Sequence, residues 1–158
     1  MIRLAAATLL AVAAPLAARE SLGVFDSWAA FRDTSPRRCY AIAKAQGSAA
    51  TPAYATVSNW PDRKVRGAVH LVLSREVADK AAVRLTVGDR RFDLVAKGRN
   101  AWAKDARDDA AIIAALRSAS RMSVSAKSAK GGAFTDRYAL AGAATAIDAA
   151  TVGCAKRS

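Results

Sequence analysis

One histidine, two cysteines and a knot of three aspartates are the residues of this 158-residue chain whose types could support chemistry. His70 lies between Val69 and Leu71 on a predicted strand, on the face opposite Leu71 and Leu73. That position reads as a half-exposed structural histidine rather than a general base. Asp105, Asp108 and Asp109 have the spacing of a carboxylate cluster, yet a helix start accounts for all three. Asp105 would be the N-cap, with the other two in the positive first turn. Serines are plentiful, but there is no Gly-x-Ser-x-Gly elbow, and a Ser-His-Asp set would have to depend on His70. Gly131-Gly132 falls between two predicted strands as a turn rather than a phosphate loop. With one histidine and no Cys-x-x-Cys, no zinc set can be assembled. The residues therefore assign no catalytic group, no cofactor and no metal ligand. A weak hydrolase built on His70 or a hidden carboxylate pair is the remaining enzymatic alternative.

The cysteines and the first residues speak about compartment. Residues 1–18, MIRLAAATLLAVAAPLAA, have a basic start at Arg3, an apolar middle, Pro15 and then small residues. That is the layout of a secretory signal peptide, and its apolar run is shorter than the ~20 residues of a membrane-spanning helix. No cysteine follows the expected cleavage site, so no lipid would be attached there. The expectation is a leader over 1–18 and a single β-rich domain over 19–158. In an exported chain the even pair Cys39 and Cys154 reads as a disulfide.

Charge is the other physical clue. The chain carries 25 Lys+Arg against 13 Asp+Glu, a net charge of +12, and only Arg3 of these lies in the leader. Basic residues are scattered, most of them at predicted turns or loop edges: Arg37-Arg38, Arg63-Lys64-x-Arg66, Arg90-Arg91, Lys97-x-Arg99, Lys127, Lys130 and Lys156-Arg157; a solvated surface that keeps the protein soluble is the plain alternative. A field of that sign draws anionic partners. Nucleic acid fits an exported protein poorly, and no nucleic-acid-binding motif is present. Arg37, Arg38, Arg63, Lys64, Arg66, Arg90 and Arg91 are the expected contact residues.

The elements that must position these residues are short. Of the 158 residues 41 are alanine, so the hydrophobic fraction of 53% overstates the bulk available to a core. Strands are predicted over Trp28–Arg32, Cys39–Lys44, Tyr54–Trp60, around Val69–Leu73, Val83–Val87, Arg90–Val95, Met122–Lys127 and Phe134–Leu140. In the second of these, Tyr40 and Ile42 share one face and Cys39 and Ala41 the other. Gly88-Asp89 suits a two-residue hairpin turn. The resulting register sets Leu85 opposite Phe92, Val83 opposite Leu94 and Arg84 opposite Asp93. One helix is predicted from Asp105 to near Ser118. A second runs over Gly142–Thr151 and stops at Gly153. The sum is a mainly β chain: a single antiparallel β-sandwich or barrel-like roll of about eight strands with two short helices.

Three stretches carry a family likeness. Gly23-Val24-Phe25-Asp26-Ser27-Trp28 is similar to a Phe-Gly-Asp-Trp opening, and Arg38-Cys39-Tyr40 places a strand cysteine about ten residues later. Tyr138 to Asp148 reads as a closing strand, a glycine and an alanine-rich helix. In these features, spread over most of residues 23–150, the chain resembles the invasion-associated locus B family of small exported bacterial envelope proteins. It departs from that pattern where members carry a cysteine shortly after the Trp, here Phe31-Arg32, and a central cysteine pair, here Trp102 and Asp105. A different disulfide arrangement and a distant relationship follow. The resemblance implies export, a β-rich fold and association with the envelope, and it brings no catalytic residues.

The expected function is that of an exported binding protein, periplasmic or outer-membrane-associated, without enzymatic activity. It would be peripheral rather than integral to the membrane. Its partner would be an anionic envelope component or an envelope protein. A small periplasmic inhibitor or chaperone-like module acting on a protein target is the alternative from another class.

Overall fold

The computed structural model describes residues 19–47 and 49–155. The expected leader over 1–18 and the basic pair Lys156-Arg157 lie outside the described residues. Five strands come first: β1 (Arg19–Phe25), β2 (Trp28–Thr34), β3 (Arg37–Lys44), β4 (Tyr54–Trp60) and β5 (Val65–Val72). A second run follows: β6 (Val83–Val87), β7 (Arg90–Lys97) and β8 (Asn100–Trp102), then the helix α1 (Ala106–Leu116). The chain ends with β9 (Arg121–Lys127), β10 (Ala133–Ala139) and the helix α2 (Ala143–Ala155).

All strands join one antiparallel sheet in the order β1-β2-β3-β4-β5-β8-β7-β6-β9-β10. The sheet is therefore two meanders and a hairpin, joined edge to edge through β5–β8 and β6–β9. It does not close, but its two ends approach one another. The Trp28 Nε1–H donates to the Ala139 carbonyl at 3.0 Å, and the Gln46 N–H donates to the Arg137 carbonyl at 2.7 Å. These bonds curl the sheet into a sandwich-like roll around one core that includes Trp28, Leu71, Leu85, Ile112, Val124 and Tyr138. The mainly β fold with two helices is as the sequence leads one to expect.

The β6–β7 hairpin has the expected register, with Val83 opposite Leu94, Leu85 opposite Phe92 and Arg84 opposite Asp93. Arg84 and Asp93 form an ion pair at 3.5 Å on the wet face. Asp105 caps α1, accepting from the Asp108 N–H at 2.9 Å. Asp109 reaches out of that helix to accept from the Val69 N–H of β5 at 2.7 Å, so it fastens α1 to the sheet.

Three differences from the sequence reading have physical causes. The count is ten strands among the described residues, because β1 and β8 were not expected. β1 is an edge strand, paired on one side, and its charged Arg19-Glu20 start and the irregular register at Gly23 erase any alternation. β8 has only three residues, too few to show a period. Finally, α2 does not stop at Gly153 but runs to Ala155. Gly153 is there for closeness: a Cβ on it would meet Leu22 Cδ1 at 2.5 Å.

Small residues set how α2 docks. Ala143, Ala146, Ile147, Ala150 and Cys154 form its buried stripe, and it packs on β1, β2 and β3. At its start Gly142 has φ +85°, and a Cβ there would collide with the Phe25 backbone carbonyl. At its end Cys154 is bonded to Cys39 of β3, with Cα atoms 5.6 Å apart and a sequence separation of 115. Arg37 and Arg32 donate to the carbonyls of Cys154 (3.0 Å) and Gly153 (3.4 Å), placing positive charge at the helix's negative end.

Two predictions follow from this docking. Chain-entropy reasoning gives a cross-link over so long a loop about 4–5 kcal/mol as an upper figure. A Cys39→Ser/Cys154→Ser variant should therefore melt many degrees lower than the oxidised chain in calorimetry. A melting temperature unchanged by the substitutions would refute the role given to the bond. The second concerns Asp109, whose pKa is raised, first by burial and then by Asp105 and Asp108, with the Val69 N–H acting the other way. The folded state then binds this proton more tightly than the unfolded chain. The stability so gained is complete below the ordinary aspartate pKa and is lost as pH rises through the raised folded value. Asp109→Asn keeps an acceptor for Val69 and removes the titration. Its urea stability should show a shallower decline with rising pH over that window than the parent; parallel profiles would contradict the assignment.

Candidate functional site

Strand alternation gives β2, β3 and β4 an inner and an outer face. Ala30, Cys39, Ala41 and Val57 point inward to α2 and the core. The outward residues form rows across the sheet. One row is Phe31, Tyr40 and Ser58, each opposite the next. The next is Ala29, Ile42, Thr56, His70, Trp102 and Val95, again in register.

Arginines lie over the aromatic rings of this face. The Arg38 guanidinium is 4.1 Å from the Tyr40 ring centroid and 4.9 Å from that of Trp60. It also donates to Ser58 Oγ at 2.8 Å, which fixes its orientation. Arg63 lies 4.9 Å from the same Trp60 ring. Arg19 stands 5.8 Å from Tyr40 and 6.0 Å from Phe31, held by Asp33 at 3.0 Å. Such contacts contribute about 0.5–1 kcal/mol each where exposed and more where desolvated. Burial lowers the pKa of Arg38 and raises that of the Tyr40 phenol; an arginine nonetheless remains charged in a protein. Arg38 and Arg63 make no ion pair among the described residues. The arrangement presents two guanidinium groups around one indole, with Asp33 opposite Arg38 in register but bonded to Arg19, a surface suited to anionic groups attached to a flat or apolar body.

The seven expected contact residues do not form one patch. Arg38 and Arg63 meet at Trp60. Arg37 faces the other way, toward the end of α2. Lys64 and Arg66 line the groove beside that helix. Arg90 lies against α1, donating to the Ala111 carbonyl at 3.3 Å, with Phe92 beneath it at 5.1 Å. Arg91 is exposed on the opposite face of β7. The rings and the third arginine, Arg19, were not expected: alternation shows that Tyr40 and Ile42 share a face, but not which strand lies alongside.

The candidate catalytic groups are engaged in structure. His70 Nε2 is 2.9 Å from Asn100 Oδ1, and its ring stacks on Trp102 with centroids 5.4 Å apart. The three aspartates are taken up by the cap of α1 and its tie to β5. Among the described residues no three His, Cys, Asp or Glu side chains are grouped to hold a metal ion. No helix there is long and apolar enough to cross a membrane.

No family model and no curated protein matches the sequence. Among solved structures, the chain is similar to the crystal structure of invasion associated protein B from Bartonella henselae. The TM-score is 0.65 at 16% identity, covering 87% of this chain and 99% of that one. The resemblance read from the sequence thus holds at the level of the fold: this chain has the fold of invasion associated protein B.

Proposed function

We propose that this chain is an exported, envelope-associated binding protein, not an enzyme, which holds an anionic envelope component on its outward arginine–aromatic face. One observation carries the reading: Arg38 and Arg63 converge on Trp60, and among the described residues neither forms an ion pair with a carboxylate. Positive charge next to an aromatic ring suits a sugar or lipid headgroup bearing phosphate or carboxylate, since the ring takes the apolar side and the guanidiniums take the charge. The fold shared with invasion associated protein B supports a place in the envelope. Because the face belongs to a sheet surface, contact would be peripheral.

A protein target is the second reading, and a specific observation favours it. Val95 and Trp102, neighbours on the same face, are 53% and 39% exposed. Large apolar side chains left in water at one place mark surfaces that bind other proteins.

Co-sedimentation with envelope fractions across a salt series separates the two. Screening acts within ~8–10 Å at ordinary ionic strength, so contact with an anionic component should weaken steadily as salt rises. Each basic residue near an anionic surface contributes about 1 kcal/mol, so Arg63→Ala should lower low-salt affinity about fivefold and flatten the salt dependence. Binding that resists salt and is lost in Trp102→Ala would transfer the assignment to a protein partner. Unchanged affinity and slope in Arg63→Ala would remove the Trp60 cluster from the site.

A further inference from the structure

A second surface lies on the other side of β4, where α1 and α2 stand over β4 and β5 with a groove between them. Two adjoining cavities, of about 390 Å³ and 440 Å³, share Asn59, Arg66 and Thr151 in their linings. Each volume is within the range of small-molecule sites. The first cavity is apolar along its length: Ala106, Ala110 and Ala114 line it from α1, Ile147 from α2, and Val57 from the floor. Gly67 keeps that floor low, since a Cβ there would meet Ile113 Cδ1 at 2.7 Å. The second cavity opens past Val65 toward Lys64 and Arg66.

The polarity of the groove is one-sided. No carboxylate lines either cavity, and Lys64 and Arg66 make no ion pair among the described residues. Arg117, at the far wall, is already paired with Asp148 at 2.7 Å. An independent feature sits where the cavities join. Asn59 is only 8% exposed, and its Oδ1 accepts from the Gly67 N–H at 3.0 Å. Its amide NH2 has no partner among the described residues, and it is not sealed off from solvent either, so it reaches the groove. A nearly buried donor, free and flanked by two free cations, calls for an oxygen anion.

We infer that this groove binds a medium-chain fatty acid, its carboxylate at Asn59, Arg66 and Lys64 and its acyl chain along the alanine wall of α1. The site is separate from the arginine–aromatic face, which shares none of these side chains.

Titration of the delipidated chain with a fluorescent fatty acid, below its micelle concentration, tests this. Saturable one-to-one binding is expected, displaced by octanoate, decanoate and laurate in rising order of affinity. The gain should be up to about fourfold per buried methylene. Arg66→Glu should weaken binding about tenfold through loss and reversal of one charge. Ala110→Trp, at an exposed position on the groove wall, should abolish binding while circular dichroism and melting remain those of the parent. Arg63→Ala should bind the fatty acid normally, so failure of the outward-face reading and failure of this one are told apart. Absence of saturable binding would overturn the inference. So would affinity indifferent to chain length, or binding untouched by Arg66→Glu and Ala110→Trp.

Discussion

The close seating of α2 on β1, β2 and β3 is the constraint from which most of the rest follows. A helix built from alanines has little area to bury per residue, so it gains cohesion only by coming very near the sheet. Gly142 and Gly153 make that approach possible, one beneath the Phe25 carbonyl and the other against Leu22. The Cys39–Cys154 bond then holds the far end in place, and Arg32 and Arg37 satisfy the terminal carbonyls. A bulkier helix would bury more surface but would need a sheet face cleared of side chains. Here Ala30, Ala41 and Ala43 provide a flat floor that only a slim helix fits.

The outward face of the sheet is also rich in large side chains, although no helix among the described residues packs against it. Phe31, Tyr40, Trp60 and Trp102 are all on that side, and arginine guanidinium groups lie over three of them. The guanidinium groups of Arg19 and Arg38, with the neighbouring Phe31 ring, cover Tyr40, which is only 4% exposed on a face with no covering element among the described residues. Cohesion of the surface and its charge therefore come from the same guanidinium groups. Removing an arginine here uncovers an aromatic ring as well as deleting a charge.

How much of this the sequence discloses depends on the range of the interaction. Local, periodic features were legible: the β6–β7 register from alternation around Gly88-Asp89, the Asp105 cap, and the faces of β3. The cysteine pairing was legible as well, since the chain has only two cysteines to pair. β8 was not, because three residues carry no period and its existence depends on β5 and β7 on either side. The candidate site was readable only as charge. Arg38 and Arg63 were singled out, but Trp60 between them was not, because no pattern along one strand reports what the neighbouring strand brings alongside. Arg37 shows the same limit in reverse. It is adjacent in sequence to Arg38, yet alternation sends it through the sheet to α2.

The run Arg63-Lys64-Val65-Arg66 carries this point furthest. As sequence it is one basic cluster that implies a single partner. In the structure the register between β4 and β5 shifts at Ser58–Trp60, Pro61–Arg63 forms a single 3-10 turn, and Lys64 takes a left-handed conformation with φ 55°. Those three irregularities turn the chain over between Arg63 and Lys64. Arg63 remains with Trp60 on the outer face, while Lys64 and Arg66 go to the groove at α2. A lysine tolerates that φ only at some cost in backbone energy. Asp26 and Lys80 take the same left-handed conformation elsewhere, so the cost belongs to the tight turn itself, and the parting of Arg63 from Lys64 and Arg66 is its consequence.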